Sequence, residues 1–245
     1  MIISGLQNTT LLDYPGHVAA TVFLGGCNFR CPFCHNADIV LEPCENLSRE
    51  KLMAFLTKRS GVLDGVCITG GEPTLYDDLV DLLYDIKSMG LLIKLDTNGT
   101  NPSMLKKIVE KGLVDYIAMD VKSSMERYGI AVGISDYNTA AIEESIRYIM
   151  ECGIQYEFRT TLVKGIHTYD DMRGIVSLIS GAKEYFLQSY KDNDSTIEKT
   201  AVFIDNRVHT HNCSEFSKEE LLEFLDIARN KVKSAKLRGI DIYYS

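Results

Sequence analysis

The sequence has no long apolar run: no stretch approaches the roughly 20 consecutive apolar residues that a membrane-spanning helix requires. Residues 1–13 contain no basic cluster and no extended apolar core, so we expect no secretory signal peptide and predict a cytoplasmic protein without a membrane partner. Basic residues are also in deficit, with 26 Lys and Arg against 34 Asp and Glu and a formal net charge of −8. Because phosphate contacts need clustered Lys and Arg, this balance argues against a nucleic-acid partner.

Linker-like segments are absent as well. No composition break, no Pro-, Gly- or Ser-rich stretch and no internal repeat divides the 245 residues. We therefore predict a single domain over residues 1–245, with a core at about 16–190 and a C-terminal helical segment at about 215–245. The polar segment 191–199 is expected to be a surface loop.

Apolar strand-like runs alternate with stretches of helical periodicity. The six runs are residues 18–24, 66–69, 91–95, 116–119, 156–163 and 185–187. Between them apolar residues recur every three or four positions, as at Leu79, Leu82, Leu83 and Ile86. Near-continuous apolar strands alternating with helices are typical of a parallel sheet covered by helices. The sequence thus predicts an α/β fold, a partial (βα)6 TIM-like barrel with parallel strands, short of the eight units of a closed barrel.

Polar or glycine-rich segments follow four successive predicted strands. They are residues 27–34, 70–73, 96–99 and 120–122, and Arg159 lies within the fifth strand. Because the carboxyl ends of parallel strands meet on one face, we expect these segments to surround a single site. Turn chemistry is the alternative for each segment alone, since Gly-Gly and Asn-Gly are common turn signals.

Three of the seven cysteines lie within eight residues, as Cys27-Asn-Phe-Arg-Cys31-Pro-Phe-Cys34. An odd number of cysteines in a cytoplasmic protein does not indicate a disulfide framework. Thiolates are the usual ligands of iron–sulfur clusters, and three of them would leave one iron without a protein ligand, by analogy with catalytic zinc sites that keep an open position. The alternative is a zinc site with Cys44 or His35 as fourth ligand. Zinc sites prefer two closely spaced ligand pairs, and no second pair is present.

The other four cysteines are interpreted as packing or surface thiols; they are Cys44, Cys67, Cys152 and Cys213. His209 and His211 precede Cys213 with a metal-like spacing. We predict no metal site there, because the segment reads as an exposed loop and has no fourth ligand.

The run from Gly26 to Asn36, GCNFRCPFCHN, resembles the cysteine signature of the radical S-adenosylmethionine (SAM) superfamily. Residues 11–36, 157–163 and 185–188 are similar, more specifically, to the anaerobic ribonucleoside-triphosphate reductase activating proteins of the glycyl-radical activating branch. The resemblance extends over about residues 6–190. It implies a radical SAM oxidoreductase in which Cys27, Cys31 and Cys34 hold a [4Fe–4S] cluster. In such an enzyme SAM is cleaved reductively to a 5′-deoxyadenosyl radical, which generates a glycyl radical on the reductase.

The resemblance also implies contacts with SAM. Gly70, Gly71 and Glu72 match the GGE motif of the family, which meets the amino group of the methionine. Glycines there let the backbone approach closely, and a carboxylate suits an ammonium group. The alternative is that Glu72 and Pro73 simply begin a helix, whose dipole favours an acid. Phe33 is expected beside the adenine.

Five further residues complete the expected SAM site. Asp96 and Thr97 would lie near the methionyl end, where some relatives also hold a monovalent cation. Asp120 and Lys122 alternate by two along a strand end, so both face one side and would contact the ribose or the carboxylate. A solvated ion pair of little energetic value is the alternative for these two. Arg159 would pair with the carboxylate or with a peptide of the partner, since a charge in an apolar strand needs a partner.

The partner implied is an anaerobic ribonucleotide reductase or another glycyl-radical enzyme, with flavodoxin or ferredoxin as electron donor. A pyruvate formate-lyase-type activating enzyme, or another radical SAM enzyme of the same branch, is the alternative. Formate-lyase activators carry a histidine beyond the sixth strand for a ribose contact, where this chain offers Gln188 as a substitute. Residues 37–65 contain only Cys44, so we expect no additional clusters. A zinc-stabilised binding protein without catalysis is the least favoured interpretation.

Overall fold

A computed structural model describes residues 1–193, 195–201 and 212–239. Its centre is one eight-stranded sheet whose strands follow the order of the chain. The strands are β1 Ile3–Thr10, β2 Ala19–Leu24, β3 Gly65–Gly70, β4 Leu92–Thr97, β5 Tyr116–Asp120, β6 Gln155–Leu162, β7 Tyr185–Ser189 and β8 Ala235–Arg238. β1 is antiparallel to β2, and every later neighbouring pair is parallel. The α/β fold and its partial parallel barrel are confirmed.

Helices connect the parallel strands. They are α1 Ala37–Leu41, α2 Arg49–Arg59, α3 Leu79–Ser88, α4 Pro102–Glu110, α5 Tyr128–Val132, α6 Ala140–Glu151, α7 Tyr169–Leu178, α8 Ile197–Ala201 and α9 Lys218–Arg229. At least one helix stands between each pair of consecutive parallel strands, as a crossover connection requires. In the described part of the chain, no helix combines the length and apolarity needed to cross a membrane.

The strand pattern separates an apolar face from a polar one. In β4, Ile93 and Leu95 are fully buried in the main core together with Ile86 of α3. Each such buried side chain contributes about 1.5–3 kcal/mol of transfer free energy. Lys94 and Asp96 alternate with them and therefore point to the opposite face of the sheet. The helices thus cover one face, and the other face is free to carry charged groups.

Both outermost strands differ from the sequence-based expectation. β1 contains Gly5 and Asn8, residue types that are depleted in strands, and it lies at an edge of the sheet. β8 is a four-residue strand within the C-terminal segment expected to be helical, where α9 is followed by a strand parallel to β7. Neither strand has the apolar run that identifies the six central ones, which were all predicted.

The segment 191–199 was expected to be a surface loop, but part of it is buried. Thr196 and Ile197 have no exposed surface. The Ile197 N–H donates to the carbonyl of Cys34 at 3.1 Å, and the Glu198 N–H donates to the carbonyl of Pro32 at 2.8 Å. The start of α8 therefore packs directly against the cysteine-containing loop.

Candidate functional site

A cavity of about 260 Å³ opens at the carboxyl ends of the parallel strands. Its wall is formed by the loop after β2, by the ends of β3, β4 and β5, and by residues of β6 and β7. Every site residue proposed from the sequence lies in this wall except Glu72. Gln188, considered for a ribose contact, lies there too. The strand ends thus converge on one site because all these strands run in the same direction.

The three cysteines lie on the loop between β2 and α1, which is fixed by hydrogen bonds. Cys31 is buried, and Cys27 and Cys34 are partly exposed. The Phe29 N–H donates to Sγ of Cys27 at 3.4 Å, and the Cys34 N–H donates to the carbonyl of Cys31 at 3.0 Å. Arg30 donates from Nη1 to the carbonyl of Cys27 at 2.7 Å. These bonds hold all three thiols on one short loop at the cavity.

Burial disfavours the thiolate form of these cysteines when nothing is bound to them. It raises the pKa of Cys27 to about 11 and raises the pKa values of Cys31 and Cys34 above their ordinary range. The positive charge of Lys122 opposes part of each shift. Ligation to iron requires the thiolate, so metal binding at this loop would release protons.

The cavity offers three thiols as metal-ligating groups. Within the described ranges, no three His, Cys, Asp or Glu side chains lie close enough together to hold a single metal ion. A tetrahedral zinc site needs four ligands within about 2.3 Å of one centre. An iron–sulfur cluster binds each thiolate to a different iron, so its ligands stand further apart. A donor set of three thiols at one cavity fits an iron–sulfur cluster, whose usual ligands are thiolates.

The two glycines after β3 lie against the start of the cysteine loop. A Cβ on Gly70 would lie 2.3 Å from the carbonyl oxygen of Leu24, and Gly70 also has a φ of +116°. A Cβ on Gly71 would lie 1.8 Å from the carbonyl oxygen of Gly26. The Gly71 N–H donates to Leu24 at 2.8 Å, and the Glu72 N–H donates to Gly26 at 2.9 Å. Only glycine permits this contact between the two loops.

Glu72 lies behind the cavity wall, not in it. Its carboxylate is fully buried and accepts from Thr74 N–H at 3.0 Å, Thr97 Oγ1 at 2.8 Å and Asn98 N–H at 2.6 Å, and also from the Thr74 hydroxyl. Burial raises the pKa of Glu72, and these donors offset part of the effect. In this arrangement Glu72 ties the loop after β3 to the loop after β4, and its contact with an amino group stays a prediction.

Five charged side chains from three neighbouring strands form a continuous ladder. Lys94 is paired with Asp96, whose Oδ2 accepts from Nη1 of Arg159 at 3.0 Å. Nε of Arg159 donates to Asp120 at 2.7 Å, and Nζ of Lys122 donates to the other oxygen of Asp120 at 2.8 Å. The side chain of Lys94 is 2% exposed, so this end of the ladder is inside the barrel. Asp120 and Lys122 are partly buried, with side chains 27% and 17% exposed, and Asp120 also binds Arg159, so the two do not form an isolated solvated pair.

Four groups of the ladder, Asp96, Asp120, Lys122 and Arg159, stay ionised at neutral pH. Burial alone would raise the pKa values of Asp96 and Asp120, but Arg159 and the neighbouring lysines hold both below their ordinary range. Burial would lower the pKa values of Lys122 and Arg159, and the two carboxylates raise both instead. Lys94 lies outside the cavity wall, so the ladder groups that line the cavity are two anions and two cations, and the N–H donors of Lys122 and Arg159 suit the carboxylate of a bound amino-acid group.

Two residues of the site were missed from the sequence. Lys94 interrupts an apolar strand, and a charge in such a strand needs a partner, which is the signal that identified Arg159. Asn98 belongs to an Asn-Gly pair, which reads as a turn. In the structure Nδ2 of Asn98 donates to Asn28 Oδ1 at 2.9 Å and lies 3.8 Å from Sγ of Cys27.

The other four cysteines do not line the cavity. Cys44 is exposed, Cys152 is half-buried, and Cys67 and Cys213 are buried. His209 and His211, considered with Cys213 for a metal site, lie outside the described residues. His35 does line the cavity, where its ring stacks on Tyr190 at 5.5 Å between centroids.

His167 supports the ladder from behind. It is buried, its Nδ1 accepts from the Val163 N–H at 3.0 Å, and its Nε2 lies 2.8 Å from the carbonyl of Lys122. Because a carbonyl only accepts, Nε2 carries the proton and the ring is the neutral tautomer. His167 therefore connects the end of β5 to the turn after β6.

We expect His167 to make stability depend on pH. Burial lowers its pKa, so the unfolded chain binds a proton that the folded protein does not. The contribution of the neutral ring is present above about pH 6.5 and is lost as the pH falls through the lowered pKa of the folded state. Glutamine can replace both hydrogen bonds without titrating. Thermal melts of wild type and His167→Gln between about pH 5 and pH 7.5 should therefore show a steeper acid loss in wild type, and parallel curves would contradict this role.

Comparisons with known proteins agree with this geometry. The sequence profile of the radical SAM superfamily matches residues 21–179. A Methanocaldococcus jannaschii protein named as a putative glycyl-radical enzyme activating enzyme is 30% identical over 205 residues, which cover 81% of this chain and 83% of that protein. A pyruvate formate-lyase-activating enzyme of Streptococcus mutans is 27% identical and covers 69% of each chain. The solved structure of a domain of a pyruvate-formate lyase-activating enzyme from Bacteroides vulgatus has a TM-score of 0.54 at 18% identity, with 71% of this chain and 99% of that chain covered.

The chain belongs to the radical SAM superfamily, whose members use a [4Fe–4S] cluster and SAM. Its similarity to the M. jannaschii and S. mutans proteins assigns it, within that superfamily, to the glycyl-radical activating enzymes. The radical SAM resemblance, the oxidoreductase class and these two cofactors, all predicted from the sequence, are thereby confirmed.

Proposed function

We propose that this chain activates an anaerobic ribonucleoside-triphosphate reductase by generating a glycyl radical on it. The observation that supports an activating enzyme is the cavity, where three thiols, two glycines in backbone contact with the thiol loop, and a charge ladder meet. The similarity of residues 11–36, 157–163 and 185–188 to reductase activators supports this partner over others.

In this proposal Cys27, Cys31 and Cys34 hold the cluster. Their loop fits the group in two respects besides the number of thiols. Lys122 places a positive charge near the cysteines, which favours thiolates and an anionic cluster. The backbone N–H of Phe29 and the side-chain amide of Asn98 point at Sγ of Cys27, and such contacts set the reduction potential of a cluster.

The methionyl part of SAM would lie between the glycines and the ladder. Gly70 and Gly71 line the cavity, and their contact with the backbone of Leu24 and Gly26 places the end of β3 against the cysteine loop, where the amino group would lie. Lys122 and Arg159 line the cavity, and their N–H donors would bind the carboxylate. Thr97 lines the same end of the cavity.

Water exclusion is the other task of the protein. When bound, the cluster and SAM supply a one-electron cleavage that yields methionine and a 5′-deoxyadenosyl radical, which takes a hydrogen atom from the α-carbon of the target glycine. Such a radical reacts with whatever lies nearest, so the site must be dry. Phe29 and Phe33 are buried in the cavity wall, and Phe33 would be the neighbour of the adenine.

A large partner and an electron donor are part of the proposal. The described sheet stays open between β1 and β8, which do not pair with one another, and the cavity opens at the strand ends. A peptide loop that carries the target glycine would enter there. We propose flavodoxin or ferredoxin as the source of the electron.

Anaerobic incubation of the reduced enzyme with SAM and a cognate ribonucleotide reductase should produce a glycyl-radical doublet in the electron paramagnetic resonance spectrum. One 5′-deoxyadenosine should accumulate for each radical formed, because each cleavage delivers one hydrogen abstraction. The same mixture without SAM is the control.

A pyruvate formate-lyase is the second candidate target, because formate-lyase activators are among the similar proteins. A doublet with formate-lyase and none with the reductase would transfer the assignment to that target. A doublet with neither enzyme would end the proposal that this chain acts on them.

A further inference from the structure

The two carboxylates of the ladder, Asp96 and Asp120, accept from cationic side chains at every oxygen. Oδ1 of Asp96 is paired with Lys94, and its Oδ2 accepts from Arg159. Oδ1 of Asp120 accepts from Arg159, and its Oδ2 accepts from Lys122. Each of the four oxygens therefore already has a cationic donor from the chain itself.

Arg159 occupies the space between these two acids. Its Nη1 lies 3.0 Å from Asp96 and its Nε lies 2.7 Å from Asp120, so one guanidinium bridges both. Arg159 stands next to Asp120 in the register of β5 and β6, and its side chain reaches across β5 to Asp96 on β4. Its side chain is 13% exposed, which leaves little room for it to move into solvent. The guanidinium presents N–H donors in a planar fork and can therefore bind two carboxylates at once. A single metal ion between the two acids would do the same.

The charges lead to the same conclusion. Lys94, Arg159 and Lys122 already exceed the two acids by one positive charge. A bound Na⁺ or K⁺ would add a second positive charge within a few ångströms of a guanidinium, at a poorly solvated position where like charges repel strongly. The carboxylate of SAM would instead neutralise the ladder. The residues of this site do not fit a monovalent metal cation.

We propose that the guanidinium of Arg159 takes the place of a monovalent metal cation between Asp96 and Asp120, so that SAM binding by this chain needs no bound Na⁺ or K⁺. The inference rests on the SAM cofactor of the family and not on the partner. Failure to activate a reductase would leave it unaffected, since it is tested on the isolated enzyme.

The first measurement uses the wild-type enzyme with its cluster reconstituted. The dissociation constant of SAM is determined by equilibrium dialysis under anaerobic conditions, in KCl, NaCl and choline chloride of equal ionic strength. We expect the three dissociation constants to agree within about twofold. A twofold change corresponds to a smaller free energy than one charge-assisted hydrogen bond contributes. Binding that is tighter in KCl or NaCl by more than about twofold overturns the proposal.

The second measurement removes the bridge. Arg159→Gln leaves Asp96 and Asp120 facing one another without their shared cation. In this variant K⁺ or Na⁺ should strengthen SAM binding by about tenfold relative to choline, and in Arg159→Lys the response should be smaller because a cation is retained. Arg173→Gln, at an exposed arginine of α7 that pairs with Asp170, is the matched control and should behave as wild type.

A folded Arg159→Gln enzyme without any cation response overturns the idea that the guanidinium substitutes for a metal ion. If that variant does not fold, Arg159→Lys and the wild-type titration still decide the matter. In that case a cation response of wild type, or a response of Arg159→Lys of about tenfold or more, counts against the proposal.

Discussion

Cys31→Ala should abolish both the bound cluster and the release of 5′-deoxyadenosine. Cys31 is the most buried of the three thiols on the loop, and removing it leaves two ligands for a group that needs three. Loss of an outer-shell partner alone costs about 10–100-fold in metal affinity, so loss of a direct ligand should cost more than about 100-fold. After anaerobic reconstitution we expect iron and sulfide near the background, no brown colour, and deoxyadenosine formation at the rate of a protein-free control.

Cys44→Ala is the matched control for this experiment. Cys44 is exposed and lies outside the cavity wall, so the variant should keep its iron, its sulfide and its activity. A zinc site with Cys44 as fourth ligand would give the opposite result, because metal would then be lost from both variants. Full cluster content and SAM cleavage in Cys31→Ala would contradict the assignment of the three thiols.

The central fold could be predicted from the sequence because burial on both faces leaves a strong pattern. Val66–Thr69 and most of the other central runs are apolar, since parallel strands are covered by helices outside and packed inside. The charged exceptions are Lys94, Glu157 and Arg159, and each of them is paired. The edge strands β1 and β8 lack that double burial, so polar residues such as Gln7 and Lys236 are tolerated in them and hide the strand. Burial of Ile197 depends on a distant loop, and no local pattern indicates it.

The sequence predicts which strand ends form the site. It does not predict which charged side chains of the site form ion pairs with one another. Sequence order places Asp96, Asp120 and Arg159 on neighbouring parallel strands, which is enough to bring them together. Which acid the guanidinium contacts depends on side-chain rotamers, and here it contacts both. The orientation of Glu72 could not be predicted for the same reason, because four donors from Thr74, Thr97 and Asn98 decide where its carboxylate points.

Gly71→Ala should destabilise the protein and disrupt SAM binding at the same time. The added Cβ would lie 1.8 Å from the carbonyl oxygen of Gly26, and that neighbour is backbone held by the Glu72 N–H at 2.9 Å, so it cannot swing aside. Overpacking of a tight contact costs about 1–3 kcal/mol and occasionally more, and we expect the upper end or beyond. For a chain of this size about 3 kcal/mol corresponds to a melting temperature lower by about 6–12 °C.

Gly61→Ala separates this effect from the general consequences of replacing a glycine. Gly61 has no neighbour within 4 Å of an added Cβ, and its φ lies outside the left-handed region. Alanine there restricts the unfolded chain without strain in the folded one, which should stabilise the protein by about 0.4–1 kcal/mol. The two alanine variants are thus expected to shift the melting temperature in opposite directions, and only Gly71→Ala should lose affinity for SAM in equilibrium dialysis. If Gly71→Ala melts with wild type and binds SAM normally, the two loops are not in backbone contact, and the wall of the site has been placed incorrectly.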